Sequence, residues 1–218
     1  AELIGVLSFK TIYSWIHRGF LAVIEKVLPR KGKKPGTQEK CGRFNVKKTI
    51  KDRPQEVENL ETFGHWELDT MVSSRGQSKG CLATFVERKT RFYIAIKMDD
   101  RSKDSMFLAI SSLYNTLTSK LLKTFTVNRG KEFACFEQVD TEFGIPMYFA
   151  DAYAAWQRGS NENSNGLLRE FFPKKTDLAK VTLDKLTEAL VLINNRPRKC
   201  LGFKTPFDMF KHEIRKLI

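Results

Sequence analysis

The segment RGSNENSNGLLR (158–169) groups several polar side chains at helical spacing. At about 100° of rotation per residue, Arg158, Asn165 and Arg169 all fall within about 60° of Glu162. One face of the predicted helix therefore presents a carboxylate beside two guanidinium groups and an amide. Such a set suits a metal ion held next to a phosphodiester, because the carboxylate ligates the metal and the guanidinium groups bind phosphate. A solvent-exposed helix face that binds nothing is the alternative.

A second candidate carboxylate, Asp69, lies inside the predicted strand HWELDT. Strand alternation places Trp66 and Leu68 on one face, and Glu67 and Asp69 on the other. A carboxylate within a strand is costly to bury unless it binds a cation or another partner. The pattern therefore indicates a cation site, although an aspartate satisfied at a sheet edge is equally compatible with it.

The surrounding pattern predicts an α/β fold with a mixed sheet. Three strands in a meander are predicted first, at 65–73, 81–88 and 92–98. They are followed by a helix at 102–118, a strand at 123–128, a helix at 136–143, a strand at 147–150 and helices at 158–172, 183–194 and 206–216. In the helix at 158–172, the apolar positions Leu167, Leu168 and Phe171 are predicted to pack on the sheet.

Positive charge is concentrated between Arg30 and Arg53. The 218-residue chain carries a net charge of +13, and this stretch alone holds ten Lys or Arg against two acids. Glycine and proline interrupt any regular pattern, which is typical of an extended linker. We predict that Lys31, Lys33 and Lys34 follow DNA phosphates, because such a charge excess favours a polyanionic partner. A solvated connector in an ordinary basic enzyme is the alternative.

A short helix is predicted before the basic stretch, with Ser8 as its N-cap and Gly19 at its C-terminal stop. Its apolar stripe is followed by outward-facing polar and basic side chains, among them Lys10 and Arg18. This arrangement is compatible with the second helix of a DNA-binding helix-turn-helix. Because the first helix would lie upstream and no initiating Met is present, we expect the chain to begin within a longer protein.

Other signals exclude several classes of protein. Four cysteines lie far apart without C-x-x-C spacing, which favours reduced thiols in a cytoplasm over zinc or disulfide sites. Apolar runs are far shorter than the roughly 20 residues of a membrane span, so no membrane partner is expected.

Several motifs together resemble the bacterial transposases of the insertion sequence 30 family. They are HWELDT (65–70), TVNRGKEF (126–133), DAYAAWQRGSNENSNGLLREFFPK (151–174), NNRPRKCLGFKTPFDMF (194–210) and TIYSWI (11–16). The resemblance implies a ribonuclease-H-like core with a mixed five-stranded sheet and an Asp-Asp-Glu triad that binds two Mg²⁺ ions, for which Mn²⁺ can substitute. Asp69 matches the first Asp and Glu162 the Glu. Arg169 matches the basic residue that accompanies this Glu.

The sequence departs from the family pattern at the middle position of the triad. Residue 128, with 33 residues between it and Glu162, is Asn where the family has Asp. An amide oxygen can touch a metal ion but contributes no negative charge, and two divalent ions side by side need carboxylates to hold them. We therefore expect a weakened metal pair and impaired catalysis.

The resemblance also implies the domain organisation and the activity. We expect a partial helix-turn-helix at 1–29, a basic linker at 30–62 and the catalytic core at 63–218. The implied activity is the cleavage and joining of double-stranded DNA at terminal inverted repeats and at a target, by a homodimer or higher oligomer in the bacterial cytoplasm, at the nucleoid. Two alternatives stay open: a ribonuclease-H-fold nuclease, and a non-catalytic DNA-binding regulator derived from a transposase.

Four residues near the predicted active site are expected to contact DNA. Arg158, Asn165 and Arg169 share the Glu162 face and are expected to reach phosphates there. Trp156 precedes the same helix, and its indole is expected to stack on an unpaired base. The alternative for Trp156 is a place in the hydrophobic core beneath the loop.

Overall fold

A mixed five-stranded sheet organises the larger part of the molecule, as predicted. In a computed structural model of the chain, which describes residues 7–22, 46–73, 78–152 and 154–217, the chain divides into two units at residues 40 and 41. The strands of the larger unit are β1 (His65–Val72), β2 (Cys81–Glu87), β3 (Tyr93–Met98), β4 (Thr124–Val127) and β5 (Met147–Phe149). Their order in the sheet is β3-β2-β1-β4-β5. The first three strands pair antiparallel, whereas β1–β4 and β4–β5 pair parallel.

Helices cover both faces of this sheet. They are α2 (Gln55–Glu58), α3 (Lys103–Thr116), α4 (Phe136–Phe143), α5 (Gly159–Phe171), α6 (Leu183–Asn194) and α7 (Pro206–Arg215), after α1 (Phe9–His17) in the smaller unit. Side chains of Ser102, Thr182 and Thr205 cap α3, α6 and α7 by accepting hydrogen bonds from backbone N–H groups of the first turn. Within the described residues, no helix is long and apolar enough to cross a membrane.

The alternation predicted for β1 separates two hydrophobic clusters. Trp66 and Leu68 are fully buried in a cluster that includes residues of α3 and α4. Met71 belongs to a second cluster, on the opposite face, with residues of α5 and α6. Asp69 lies on the second face, so α5 is the helix that can reach it.

The described end of the predicted linker is not a linker. Ile50 and Val57 are buried, and the Phe149 backbone N–H donates to the Lys48 carbonyl at 3.0 Å, beside a parallel bridge from Thr49 to Phe149. Residues 46–62 were expected to belong to the linker at 30–62 because basic residues dominate that stretch. The apolar side chains within it are sufficient to pack this segment against the edge of the sheet.

The helix predicted between Ser8 and Gly19 is confirmed as α1. Ser8 accepts a hydrogen bond from the Lys10 backbone N–H at 3.3 Å, and Gly19 follows the helix with a φ of +74°, a conformation that favours glycine. Lys10 and Arg18 are exposed on this helix, as predicted.

Candidate active site

Parallel pairing of β1 with β4 brings Asp69 and Asn128 together. Glu67 pairs with Thr126; two residues later, Asp69 lies within β1, whereas Asn128 directly follows the end of β4. The Asn128 Nδ2 donates to Asp69 Oδ1 at 3.3 Å, while Asn128 Oδ1 accepts from the Gly130 backbone N–H at 2.7 Å. The two positions that the resemblance assigns to the first and middle acids are therefore neighbours.

Helix α5 supplies the remaining contacts to Asp69. Arg158, immediately before α5, lies 3.4 Å from Asp69 Oδ2 through its Nη1, and Asn165 Nδ2 donates to the same oxygen at 3.4 Å. The Tyr93 hydroxyl donates to Asn165 Oδ1 at 2.7 Å, which turns the amide nitrogen of Asn165 towards Asp69. Burial raises the pKa of Asp69, and the positive charge of Arg158 opposes that rise.

Glu162 lies on α5 between these two contacts. Helical geometry keeps it within about 60° of Asn165, so it faces the same side of the helix as that residue. Its side chain is exposed to solvent. The structure thus brings Asp69 and Asn128 into contact, and the carboxylate of Glu162 is accessible on the face of α5 that carries Asn165.

The sheet-facing side of α5 differs from the prediction at both ends of the helix. Leu168 is buried as expected, but Phe171 is 42% exposed, and Asn161 and Ser164 are the other buried residues of the helix. Polar residues are stable there because Asn161 Nδ2 donates to the Glu67 carbonyl at 2.9 Å and its Oδ1 accepts from the Thr84 hydroxyl at 3.2 Å.

Glu67, on the same face as Asp69, anchors the first turn of α5. Its carboxylate accepts a hydrogen bond from the Asn161 backbone N–H at 2.9 Å and forms a buried ion pair with Arg88. A carboxylate at a helix N-terminus satisfies a backbone N–H that has no partner within the helix and interacts favourably with the helix dipole. Strand alternation predicts the face on which Glu67 lies. Its role as an anchor of α5 could not be predicted, because both of its partners are distant in sequence.

A second missed residue, Glu132, joins the end of β1 to the turn after β4. It is buried, and its Oε1 accepts from the Thr70 hydroxyl and from Arg101 Nε, both at 2.9 Å. Since Thr70 follows Asp69 directly, these contacts restrain the backbone of the candidate site. The sequence signal was its place in the quoted motif TVNRGKEF, four residues after Asn128.

Arg169 has partners that the sequence analysis did not anticipate. Its guanidinium donates to the Val72 carbonyl at 2.7 Å and to the Phe172 carbonyl at 3.4 Å, which ties the end of β1 to the end of α5. Burial lowers the pKa of Arg169. These contacts explain its half-buried position without a phosphate, so its phosphate contact remains a prediction.

Trp156 is not a core residue. Its side chain is 78% exposed in the 3₁₀ turn Ala155–Arg158, so the alternative that placed it beneath the loop is wrong. The turn is held by the side chain of Gln157, which accepts from the Asp151 backbone N–H at 2.8 Å and donates to the Asp151 carboxylate at 3.0 Å.

The predicted DNA-binding residues Lys31, Lys33 and Lys34 lie outside the described residues.

The donor set does not fit a pair of divalent ions. Two such ions lie about 3.5–4 Å apart and require several carboxylates around them. Asp69 is in contact with two amides and a guanidinium instead, and the Asn128 oxygen is already bonded to Gly130. Within the four described ranges, no group of three or more His, Cys, Asp or Glu residues is placed to hold a metal ion.

Sequence comparison finds several transposases. The chain is 34% identical to the transposase for insertion sequence element IS4351 of Bacteroides fragilis over 224 residues, covering 99% of this chain and 67% of that protein. It is 39% identical to the transposase InsI for IS30A of Escherichia coli K12, covering 76% and 42%. A protein named probable transposase for the insertion-like sequence element IS1161 of Streptococcus salivarius is 32% identical, covering 94% and 59%. The chain thus spans about half the length of the last two. No protein-family model matches it.

Structure comparison finds retroviral integrase cores. The catalytic core domain of BIV integrase superimposes with a TM-score of 0.55 at 18% identity, covering 72% of this chain and all of that domain. The HTLV-2 integrase catalytic core domain, solved in complex with magnesium, gives a TM-score of 0.52 at 17% identity, covering 67% of this chain and 95% of that domain. The predicted ribonuclease-H-like fold is therefore confirmed.

Proposed function

Since this chain belongs to the family of insertion-sequence transposases, we propose that it is the catalytic part of a DNA transposase that cleaves DNA at element ends and joins the ends to a target. One observation carries the proposal. Asp69 of β1 contacts Asn128, which follows the parallel strand β4, and Glu162 shares the face of α5 whose Asn165 contacts Asp69.

Double-stranded DNA is the proposed substrate, at the terminal inverted repeats of the element and at the target. The excess of 38 Lys and Arg over 25 Asp and Glu supplies charge for binding phosphates. Exposed Lys10 and Arg18 on α1, together with Lys31, Lys33 and Lys34, are the proposed phosphate contacts outside the active site. Such contacts add affinity without reading sequence.

A divalent metal ion is the cofactor that the family implies, and Mg²⁺ is the proposed ion, with Mn²⁺ as a substitute. In a chain with an acid at position 128, two such ions would supply stabilisation of the attacking and the leaving oxygen of a displacement at phosphorus. Asp69 and Glu162 are the proposed carboxylate ligands. Asn128 provides no charge, so we propose that the chain binds DNA but cleaves it very poorly.

Within this site, the protein residues hold Asp69 in a defined orientation. Arg158 and Asn165 both contact Oδ2, and the Thr70 backbone N–H donates to Oδ1 at 2.9 Å. Arg158 therefore has two proposed roles. It balances the charge of Asp69 in this structure, and it offers a guanidinium to a phosphate that reaches the same edge.

A second candidate function is a DNA-binding regulator without catalysis. The observation that favours it is the pairing of Asp69 with Asn128, because this hydrogen bond, together with the Arg158 ion pair, stabilises the carboxylate without a metal ion. The two functions make opposite predictions for a chain in which the middle acid is restored.

The deciding experiment compares Asn128→Asp with Asn128→Ala, which removes the amide but adds no charge. Strand joining is measured with Mg²⁺, element-end DNA and target DNA. We expect strand joining by Asn128→Asp but not by Asn128→Ala. Adding Glu162→Gln to Asn128→Asp should abolish strand joining. End binding without joining by Asn128→Asp would establish the regulator instead, and robust cleavage by the Asn128 chain would contradict the impairment.

Pairing of two element ends requires more than one protomer, so we propose a homodimer or higher oligomer on DNA. A closed twofold arrangement would suit two equivalent ends. Sedimentation of the chain with element-end DNA should give a complex with at least two protomers, and a paired-end complex with a single protomer would contradict this.

A further inference from the structure

A cavity of about 330 Å³ opens at the N-terminal end of α5, away from Asp69. Ser160 and Asn163 of α5 line it, and both lie at least about 100° around the helix from Glu162, on the side opposite Arg158 and Asn165. The cavity is therefore separate from the candidate active site, although the same helix borders both.

The cavity is positively charged. Arg88, Arg91 and Arg198 line it, whereas Glu67 is the only acid among the described residues that line it and is already paired with Arg88. Arg91 donates to the Ser160 hydroxyl, and Arg198 donates to the Ile193 carbonyl at 3.4 Å. Two guanidinium groups thus face one cavity, and neither forms an ion pair with any described residue.

Arg198 has further capacity to bind an anion. Its Nε is buried and has no hydrogen-bond partner in the part of the chain that the structure describes. Burial and the positive charge of Arg196 lower the pKa of Arg198, so an anion that enters the cavity would offset an existing repulsion. A phosphate matches this need because it accepts several hydrogen bonds from guanidinium groups.

The mouth of the cavity carries an exposed aromatic ring. Trp156 lines the cavity while keeping 78% of its side chain accessible, and the Gln157–Asp151 hydrogen bonds fix the turn that presents it. An exposed indole next to two guanidinium groups matches the two parts of a nucleotide. A base stacks on the ring, and its phosphate meets the positive charge.

The cavity wall also includes unfavourable backbone conformations. Leu60 and Arg91 both line it and have φ values of +59° and +62°, which large side chains rarely adopt. Strain of this kind persists where the surrounding structure enforces it, often at binding sites.

We propose that this cavity binds one nucleotide of an unpaired DNA strand, with the base against Trp156 and the phosphate between Arg91 and Arg198. The proposal rests on the proposed action on DNA, and it adds a single-strand site beside the duplex-binding surface. An unpaired strand is required because the bases of a duplex are stacked on one another and cannot reach the ring.

The experiment uses the fluorescence of Trp156 in the Asn128 chain, which we expect to bind DNA without cutting it. Trp66 is fully buried, so Trp15→Phe leaves Trp156 as the one strongly exposed tryptophan among the described residues. A short single strand should quench this fluorescence, whereas an abasic strand of equal length and the same sequence as duplex should not. Trp156→Ala should weaken single-strand binding, followed by anisotropy, about 10-fold or more.

A charge-matched pair of variants tests the phosphate half. Arg91→Gln/Arg198→Gln should weaken single-strand binding about 10-fold more than Lys185→Gln/Lys211→Gln, which removes the same charge from exposed positions of α6 and α7. Equal effects of the two pairs of variants, or equal binding of the abasic strand, would overturn the proposal. These results are independent of strand joining by Asn128→Asp, so the cavity and the transposase function can fail separately.

Discussion

Glu67 and Asp69 are two residues apart on the same face of β1, yet their surroundings differ in kind. Glu67 is 1% exposed and has two close partners, the guanidinium of Arg88 and the Asn161 backbone N–H at the start of α5. The Asp69 side chain is 23% exposed, and its side-chain partners Asn128, Asn165 and Arg158 lie at 3.3–3.4 Å. A carboxylate is therefore buried and fully paired at Glu67, but partly accessible to solvent at Asp69.

The difference indicates that the two carboxylates of β1 have different roles. A buried, fully paired carboxylate holds a helix in place but cannot react, because its oxygens are occupied. A partly exposed carboxylate with long contacts can exchange its partners for a ligand at little cost. Glu67 therefore fixes the position of α5, and with it Glu162, relative to Asp69, the proposed catalytic carboxylate.

The largest expected effect is on stability, in Glu67→Ala. This change leaves Arg88 buried without a carboxylate and the Asn161 backbone N–H without an acceptor, so we expect a loss of about 3–5 kcal/mol of unfolding free energy. Urea unfolding followed by the fluorescence of buried Trp66 measures it. The double change Glu67→Leu/Arg88→Met should recover most of the loss. A loss below about 1 kcal/mol would show that Glu67 is not an anchor.

The second effect is on activity, in Asp69→Asn made in the Asn128→Asp chain. Removing the accessible carboxylate should slow strand joining roughly 10³-fold, equivalent to about 4 kcal/mol of transition-state stabilisation. The control is Glu142→Gln, which neutralises an exposed acid on α4 and should leave the rate unchanged. A rate within about 10-fold of the parent would remove Asp69 from the reaction.

A third effect is a pH dependence at His65, the next titratable residue on this face. Burial lowers the pKa of His65 from 6.5 to about 4. As the pH falls below 6.5, the unfolded chain binds the proton first, so stability declines until about pH 4, by about 3 kcal/mol in total. Unfolding free energies of the parent and His65→Gln between pH 7 and 4 should converge as the pH falls. Parallel curves would contradict the buried, neutral state.

The smallest effect is on stability, in Asp69→Asn in the parent chain. Burial raises the pKa of Asp69 above 3.8, so ionisation in the folded state lowers stability as the pH rises through that range. We therefore expect Asp69→Asn to be equal to the parent or slightly more stable at pH 7, with a gain in unfolding free energy below about 1 kcal/mol. Below pH 3.8 no gain is expected. A marked destabilisation at pH 7 would place Asp69 with Glu67 among the structural carboxylates.

Periodicity predicted the elements well because it is a local property. The strand alternation in β1, the helix after Ser8 and the order of strands and helices all follow from neighbouring residues, and the structure confirms them. Composition was a poorer guide. The basic composition predicted a linker where apolar side chains pack residues 46–58 on the sheet. In α5, the leucine positions predicted the buried face but not the burial of Asn161 and Ser164.

By itself, the sequence determined that Asp69 and Glu67 share a strand face, that Arg158, Glu162 and Asn165 share a helix side, and that position 128 lacks a carboxylate. Only the tertiary structure decided which of the two carboxylates in β1 is buried and fully paired. The partners of the Glu67 carboxylate lie 21 and 94 residues away in sequence, and the side-chain partners of Asp69 lie 59 to 96 residues away. Hydrogen-bond and ion-pair choices at such separations depend on the packing of β1 against α5, which no local pattern encodes.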